Sequence, residues 1–322
     1  MGNCCSSEAQ KDAPTTLQTT GAEKRAHLTM NVESSGTAVE GHAPQASTAT
    51  QVAEMNKLHS RVEEVENKSK PFPYEKYAKA EDASLPVLGP FKYSNGATYK
   101  GQYKNGLRHG QGRQIWADGS CYDGLWVDDK SNGQGRLIHI EGDIYTGEWK
   151  DDKAEGKGEY VHFDGTTYVG DWKADKQNGI GKEKWADGST YDGQYKDSLK
   201  HGRGIFTWVD ESRYEGEFFQ NDIQGKGVYT WNDGRRFDGD WKNNKMHGKG
   251  VFTWVDGRKY VGEYQDDKKH GYGEFYWKDG RVYKGMWGNG KQHGEGHFKN
   301  EQGVERKGIW KEGNRMEWTD SK

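Results

Sequence analysis

Long apolar runs are missing from this 322-residue sequence. Only 31% of its residues are hydrophobic, and its mean hydropathy is -1.18. No apolar run approaches the roughly 18 residues that cross a bilayer as a helix, so we predict no transmembrane helix. The supply of Leu, Ile and Val is also too small for a thick core. Any fold must therefore leave much of its backbone close to water.

Cysteine is scarce, and net charge is nearly absent. Three cysteines, two of them adjacent at Cys4 and Cys5, do not make a disulfide framework. Without a recognisable cleavable signal sequence, we expect a reducing cytosolic setting. Residues 1–88 hold 9 Lys and Arg and 12 Asp and Glu, so residues 89–322 hold 38 of each sign. A neutral region offers no net field for nucleic acid, and we expect no nucleic-acid partner.

The first residues match a lipidation motif. Gly2, followed by Ser6, fits N-myristoylation, in which the amine of Gly2 accepts the acyl chain once Met1 is removed. One myristoyl chain gives only marginal membrane affinity, and Lys11 is the only cation among the first 20 residues. We therefore predict palmitoylation of Cys4 and Cys5, and assign residues 1–10 as an acylation anchor. An unmodified tail is the alternative.

Three further segments precede the main domain. Residues 11–50 contain no aromatic residue, which predicts a disordered tether. Residues 51–70 carry apolar residues at spacings of three and four, which predicts a short helix: Val52, Met55, Leu58, Val62 and Val65. Because two heptads are marginal alone, this helix needs a partner, either the sheet or a second chain; a transient surface helix is the alternative. Prolines predict an extended linker over residues 71–88.

Rings and glycines recur at intervals of 23 residues. The first ring of each repeat is Tyr99, Tyr122, Tyr145, Tyr168, Tyr191, Tyr214, Phe237, Tyr260 or Tyr283. A glycine follows two residues later, and a second ring follows four residues later: Tyr103, Trp126, Trp149, Trp172, Tyr195, Phe218, Trp241, Tyr264 or Trp287. Further glycines stand at offsets eleven and thirteen. Offset seventeen often carries Trp, as at Trp116, Trp185, Trp208, Trp231, Trp254 and Trp277.

This spacing predicts one β-hairpin per repeat. Offsets 0, 2 and 4 lie on one face of a strand, and offsets 11, 13, 15 and 17 lie on the same face of the returning strand. Polar residues between them, such as Glu148 and Asp171, should face water. Asp-Gly pairs mark tight turns. We therefore predict an all-β fold, an elongated, single-layer, twisted antiparallel sheet that grows by roughly 10 Å per repeat.

The unit Tyr-x-Gly-x-Trp, followed by His-Gly-x-Gly and Asp-Gly, resembles the MORN repeat (membrane occupation and recognition nexus). The resemblance covers residues 89–310 and leaves residues 311–322 as a tail. It weakens at Arg306, which replaces the Tyr, and in the second repeat, which has His139 in place of Trp. The resemblance implies a scaffold or membrane tether, since MORN repeats occur in cytoskeletal, ciliary and junctional proteins. It also implies phospholipid contact as one alternative.

The aromatic stripe has two interpretations. The rings pack against each other between strands, or they form a groove that receives a protein partner, such as a helical or extended peptide or residues 51–67 of this chain. An edge strand at the last repeat could also pair two copies into a homodimer. The candidate partner-binding residues are the three ring series given above, at offsets 0, 4 and 17.

No residue pattern predicts chemistry. Histidines at 109, 201, 247, 270 and 293 share one repeat position and are interpreted as turn residues. Neighbours in this series should lie roughly 10 Å apart, too far to share one metal ion. Cys121 occupies a position held by Thr98 and Ile144 in sibling repeats, so it is interpreted as a strand residue. We predict no catalytic site, metal or cofactor.

The sequence therefore favours a non-enzymatic scaffold, anchored by acyl chains at the cytosolic face of a membrane, which recruits or positions partner proteins. The first alternative is a structural component of a ciliary or cytoskeletal assembly similar to radial-spoke MORN proteins. The second is a phospholipid-binding module.

Overall fold

A computed structural model describes residues 60–320. The predicted acylation anchor, the tether and the first part of the predicted helix lie outside these residues.

Short helices precede an extended series of strands. Residues 60–68, here α1, are helical; α2 spans Tyr74–Tyr77, and a 3-10 turn spans Ala80–Asp82. The strands are β1 Val87–Lys92, β2 Thr98–Lys104, β3 Leu107–Ile115, β4 Cys121–Val127, β5 Lys130–Ile138, β6 Ile144–Lys150, β7 Lys153–Val161, β8 Thr167–Lys173, β9 Lys176–Lys184, β10 Thr190–Lys196, β11 Leu199–Thr207, β12 Arg213–Phe219, β13 Asp222–Thr230, β14 Arg236–Lys242, β15 Lys245–Thr253, β16 Lys259–Gln265, β17 Lys268–Tyr276, β18 Val282–Gly288, β19 Lys291–Lys299, β20 Glu305–Lys311 and β21 Asn314–Trp318.

The described chain divides into two compact units. The N-terminal unit comprises residues 60–187 and 195–198, and the C-terminal unit comprises residues 188–194 and 199–320. From β1 to β9 in the first unit, and from β11 to β21 in the second, each strand pairs antiparallel with the next strand along the chain. The prediction of an all-β, antiparallel fold of tandem hairpins is confirmed.

Two-residue turns close the hairpins. Between β6 and β7, Asp151 and Asp152 adopt φ of 48° and 66°. Positive φ at both central residues defines a type I′ turn, whose twist matches that of the flanking strands. Asp and Asn tolerate this left-handed region better than most residues, because their short polar side chains bond locally. The sequence pattern does not predict turns such as Asp151-Asp152, because they contain no glycine; Asn105-Gly106 and Asn289-Gly290 are turns of the same kind that do contain one.

Asp-Gly pairs close six of the other connections, as predicted. Between β7 and β8, the N–H of Gly165 donates to the carbonyl of His162 over 2.9 Å, and the N–H of His162 donates to the carbonyl of Thr166 over 2.8 Å. Gly165 has φ +90°. The carboxylate of Asp164 accepts the N–H of Thr166 over 2.9 Å, which fixes the turn.

A β-bulge interrupts the hairpins β2–β3, β4–β5, β6–β7 and β8–β9 of the first unit and β12–β13, β14–β15, β16–β17 and β18–β19 of the second, and it corrects the interpretation of the histidines. The β6–β7 register shifts between Gly147 and Trp149, and Gly156 on the returning strand has φ +75°. The histidines of this repeat position precede such glycines. His109, for example, lies within β3, so the turn interpretation was wrong; the glycine makes a bulge there.

Two predicted boundaries also change. Residues 71–88, predicted as an extended linker, contain α2, the 3-10 turn and the start of β1. Residues 311–322, predicted as a tail, contain β21, whose Trp318 lies 6.0 Å from Trp310 between ring centroids. Packing between these two rings stabilises β21 at the edge of the sheet.

Candidate interaction surfaces

One face of each unit, here called the ring face, is built from tyrosines lying across glycine pairs. In the third repeat Tyr145 covers Gly147 and Gly158, which oppose each other on β6 and β7. A Cβ on Gly158 would lie 2.6 Å from the ring carbons of Tyr145, and one on Gly147 would lie 2.5 Å from the Cα of Gly158. Only glycine permits this approach. The hydroxyl of Tyr145 then donates to the carbonyl of Glu148 over 2.9 Å.

The second ring of each repeat links neighbouring tyrosines. The centroid of Tyr145 lies 5.1 Å from Trp149 of its own repeat and 5.1 Å from Trp172 of the next repeat, both in edge-to-face geometry. The indole N–H of Trp172 donates to the carbonyl of Gly158 over 3.2 Å. Each contact of this kind adds to hydrophobic burial and fixes the register between hairpins.

Most candidate partner-binding rings are buried by these contacts. The first ring of every repeat is at most 1% exposed, and the second ring is 3–6% exposed from Trp126 onward, with Tyr103 half-buried. Packing between strands therefore describes these two series, and their side chains present no surface to a partner in this conformation. At offset seventeen, Trp231 and Trp254 are also buried, at 8% exposure. The half-buried remainder, for which partner contact stays a prediction, is Trp116, Trp185, Trp208 and Trp277.

Sequence reasoning missed a second line of rings in the C-terminal unit. It consists of residues at offset fifteen alternating with the Trp series: Phe206, Trp208, Tyr229, Trp231, Phe252, Trp254, Phe275, Trp277 and Phe298, with successive centroids 4.4–6.1 Å apart. Offset fifteen lies on the predicted ring face, so its aromatic content was the available signal. Burial raises the pKa of Tyr229 to about 12. A phenol in this environment stays protonated near neutral pH.

Part of the opposite face of the N-terminal unit is covered by the chain itself. We call residues 60–86 the strap. Val62 of α1 is 5% exposed and packs with Cys121, Ile138 and Ile140, and Ile144 adjoins this cluster. Because Cys121 alternates with Tyr122 along β4, it points away from the ring face. The strap thus packs on the sheet, but away from the aromatic groove suggested for residues 51–67.

A polar network secures the strap. Glu66 pairs with Arg113, and the hydroxyl of Tyr74 donates to Asp123 over 2.9 Å. Arg136 donates to the carbonyl of Lys70 over 2.7 Å. Burial, and then the charge of Asp123, hold the pKa of Tyr74 well above its usual range. Since Asp123 is 5% exposed, loss of these donors would leave a buried carboxylate without partners.

Three potential ligand atoms meet in this network. Those of Glu66, Cys121 and Asp123 lie within 4.8 Å of one another. Asp123 is paired with Arg113 at 3.4 Å and Arg136 at 3.6 Å. Burial, and then the charge of Glu66, raise the pKa of the Cys121 thiol to about 12. A buried, protonated thiol is a poor metal ligand and a poor nucleophile, and Asp123 is already paired with two arginines, so the group is an ion-pair network.

Beyond the strap, the opposite face carries exposed apolar side chains. In the N-terminal unit Val169 and Ile180 are 52% and 53% exposed. In the C-terminal unit Tyr272 and Met286 oppose each other on β17 and β18 and are 49% and 44% exposed. The polar residues predicted to face water between such positions also bond to the backbone. Asp171, for example, accepts the N–H of Ile180 at a bulge over 2.8 Å.

These features define a repeat protein built from tandem β-hairpins with a self-packed ring face. The chain belongs to the MORN repeat family, whose model matches nine successive segments, at residues 99–121, 122–144, 145–167, 168–190, 191–213, 214–235, 237–257, 260–280 and 283–303. Within residues 60–320, no helix combines the length and apolar character needed to cross a membrane. A comparison with curated proteins gives no match.

Several solved structures are similar at low identity. The TCP10 domain of Danio rerio CPAP in complex with a STIL peptide is 13% identical, with a TM-score of 0.37; the match covers 72% of this chain and 98% of that chain. The TCP domain of Drosophila melanogaster SAS-4, in complex with a proline-rich motif of Ana2, is 12% identical, with a TM-score of 0.32, and the match covers 61% and 97%. At these TM-scores the likeness carries no conclusion about function.

Proposed function

We propose that this MORN-repeat protein is a non-enzymatic scaffold, anchored at the cytosolic face of a membrane through Gly2, Cys4 and Cys5, which holds partner proteins on its repeat surface. The observation that carries the proposal is the pairing of a two-signal acylation motif with repeats that leave apolar side chains exposed. Either acyl signal alone gives weak binding, and the two together give stable anchoring.

The opposite face is the better candidate for the partner surface. The rings that sequence reasoning favoured are largely occupied by packing within the chain, whereas Tyr272 and Met286 are open. Exposed apolar side chains beside charged ones are typical of protein interaction sites, and here Lys284 and Glu274, two residues from Met286 and Tyr272, pair with each other at 3.5 Å.

Two variants of the full chain test anchoring and recruitment separately. Gly2→Ala should move the protein from the membrane fraction to the soluble fraction. Tyr272→Ser with Met286→Ser should keep membrane recovery and reduce proximity labelling of neighbouring proteins. Val209→Ser is the control, because it removes an apolar side chain that is 67% exposed at a turn outside the candidate surface.

Unchanged membrane recovery of Gly2→Ala would overturn the anchor. Retention of that variant with a detergent-resistant cytoskeletal or axonemal pellet would favour the structural alternative. Binding of the purified repeats to anionic vesicles without any acyl chain would favour the phospholipid-binding alternative.

A further inference from the structure

The site that holds Val62 is repeated once along the sheet. Val62 packs with Ile138 and Ile140, which are 0% and 9% exposed. Twenty-three residues on, Val161 and Phe163 occupy the same two repeat positions. Val161 is half-buried and Phe163 is 52% exposed. The next repeat has Lys184 and Ala186 at these positions. The apolar surface along the sheet therefore covers two consecutive repeats and then ends. We call Ile138 and Ile140 its first place, and Val161 and Phe163 its second place.

Helix α1 is directed toward the second place. Glu66, near its carboxyl end, pairs with Arg113 on β3. Val62, one turn earlier, packs on Cys121 at the start of β4 and on Ile138 at the end of β5. The guanidinium carbon of Arg61 lies 4.6 Å from the centroid of Phe163, in the loop after β7. Toward lower residue numbers, α1 therefore crosses the strands in the direction of later repeats.

Along this surface, the advance of the sheet per repeat matches the rise of about two helical turns. One repeat advances the sheet by two strands, about 9.6 Å. Seven helical residues advance by about 10.5 Å. The residue seven before Val62 is Met55, and Leu58, four before it, falls on the same side of a helix. Both belong to the apolar spacing that predicted this helix.

We propose that the segment just before Ser60 docks on this second place, with Met55 and Leu58 against Val161 and Phe163 of the same chain. The interface formed by Val62 and Val65 would then continue without a break across the third repeat. The occupant is this chain because the segment is covalently joined to a helix already seated one repeat away. The high local concentration that results favours it over a second copy.

Cross-linking in the full-length chain tests this. In a Cys4→Ser, Cys5→Ser background, Met55→Cys is paired with Phe163→Cys and treated with a short bis-maleimide; Cys121 is 1% exposed and stays protected. The control pairs Met55→Cys with Val255→Cys, because Val255 holds the same repeat position as Phe163 and is 70% exposed. We expect a cross-link within one chain, at least tenfold above the control and insensitive to dilution.

No cross-link, equal yields with both partners, or products joining only two chains would overturn the proposal; the last would assign the site to a second copy. Amide exchange supplies an independent measurement. Phe163→Ser should speed exchange in residues 52–59 severalfold, and Val255→Ser should leave it unchanged. Neither measurement depends on membrane anchoring, so this inference and the proposed scaffold role can fail separately.

Discussion

At the scale of single residues, the fold depends on backbone positions that accept no side chain. The pairs at offsets 2 and 13, such as Gly147 and Gly158, lie under a tyrosine ring that leaves no room for a methyl group. Glycines in the turns are favoured for their backbone conformation and not because a side chain would lack space. Gly106 has φ +82° and open space around a would-be Cβ. The same residue type therefore answers a steric demand at one position and a conformational demand at another.

Substitutions at these two kinds of glycine should separate clearly. Gly158→Ala places a methyl group against Tyr145 and should lower the free energy of unfolding by about 1–3 kcal/mol, the usual cost of overpacking. Gly106→Asn should be nearly neutral, because Asn221 and Asn244 hold the equivalent turn position at φ 74° and 63°. Urea denaturation monitored by circular dichroism measures both. Equal losses would contradict the steric account of the ring face.

At the scale of hairpins, the turn residues staple each repeat to the one before it. The carboxylate of Asp267 accepts the N–H of Met246 over 2.8 Å, while the N–H of Asp267 donates to the carbonyl of Met246 over 3.0 Å. Asn244 makes the same pair of bonds with Ile223, at 2.7 Å and 3.0 Å. Burial raises the pKa of Asp267. Keeping this buried carboxylate ionised therefore costs free energy, and an uncharged amide at the same position would avoid that cost.

Replacement of Asp267 tests the staple. Asp267→Gly keeps the positive φ but leaves the N–H of Met246 without its side-chain acceptor, which should cost about 1–2 kcal/mol of unfolding free energy. Asp267→Asn should match or exceed the wild type, because Asn244 already serves in this role. Thermal unfolding of the three proteins measures the difference. A glycine variant as stable as the asparagine variant would remove the staple from the account.

Periodicity in the sequence predicted the hairpins, because ring and glycine spacing reports directly on which face of a strand a residue occupies. It did not predict the type I′ turns at positions such as Asp151 and Asp152. In these turns Asp adopts the positive φ for which a glycine would be expected. The periodicity also did not predict how the strap packs on the sheet. The strap contacts the sheet through pairs of residues that are far apart in the sequence, such as Val62 with Ile138 and Tyr74 with Asp123. These pairs do not follow the 23-residue repeat.

At the scale of the whole molecule, the ring face ties stability to the ionisation of tyrosine. Burial raises the pKa of these first rings above the ordinary value of 10.0 in Tyr99, Tyr122, Tyr145, Tyr168, Tyr214, Tyr260 and Tyr283. The folded protein thus keeps phenol protons that the unfolded chain releases above pH 10. Stability is fully present below that pH and is lost as pH rises toward the folded pKa values.

We therefore expect cooperative alkaline unfolding above about pH 10, in which tyrosinate absorbance and loss of the sheet rise together. Each phenol that ionises only on unfolding contributes a slope of about 1.4 kcal/mol per pH unit. Tyr145→Phe should reduce the slope of unfolding free energy against pH by that amount, and the fold should tolerate it because Phe237 holds the same repeat position with 0% exposure. If the tyrosinate absorbance that distinguishes wild type from Tyr145→Phe appeared near pH 10 while circular dichroism stayed unchanged, the first ring would be accessible to hydroxide in the folded state. The ring face would then be open to solvent, and the candidate partner surface would return to the aromatic stripe.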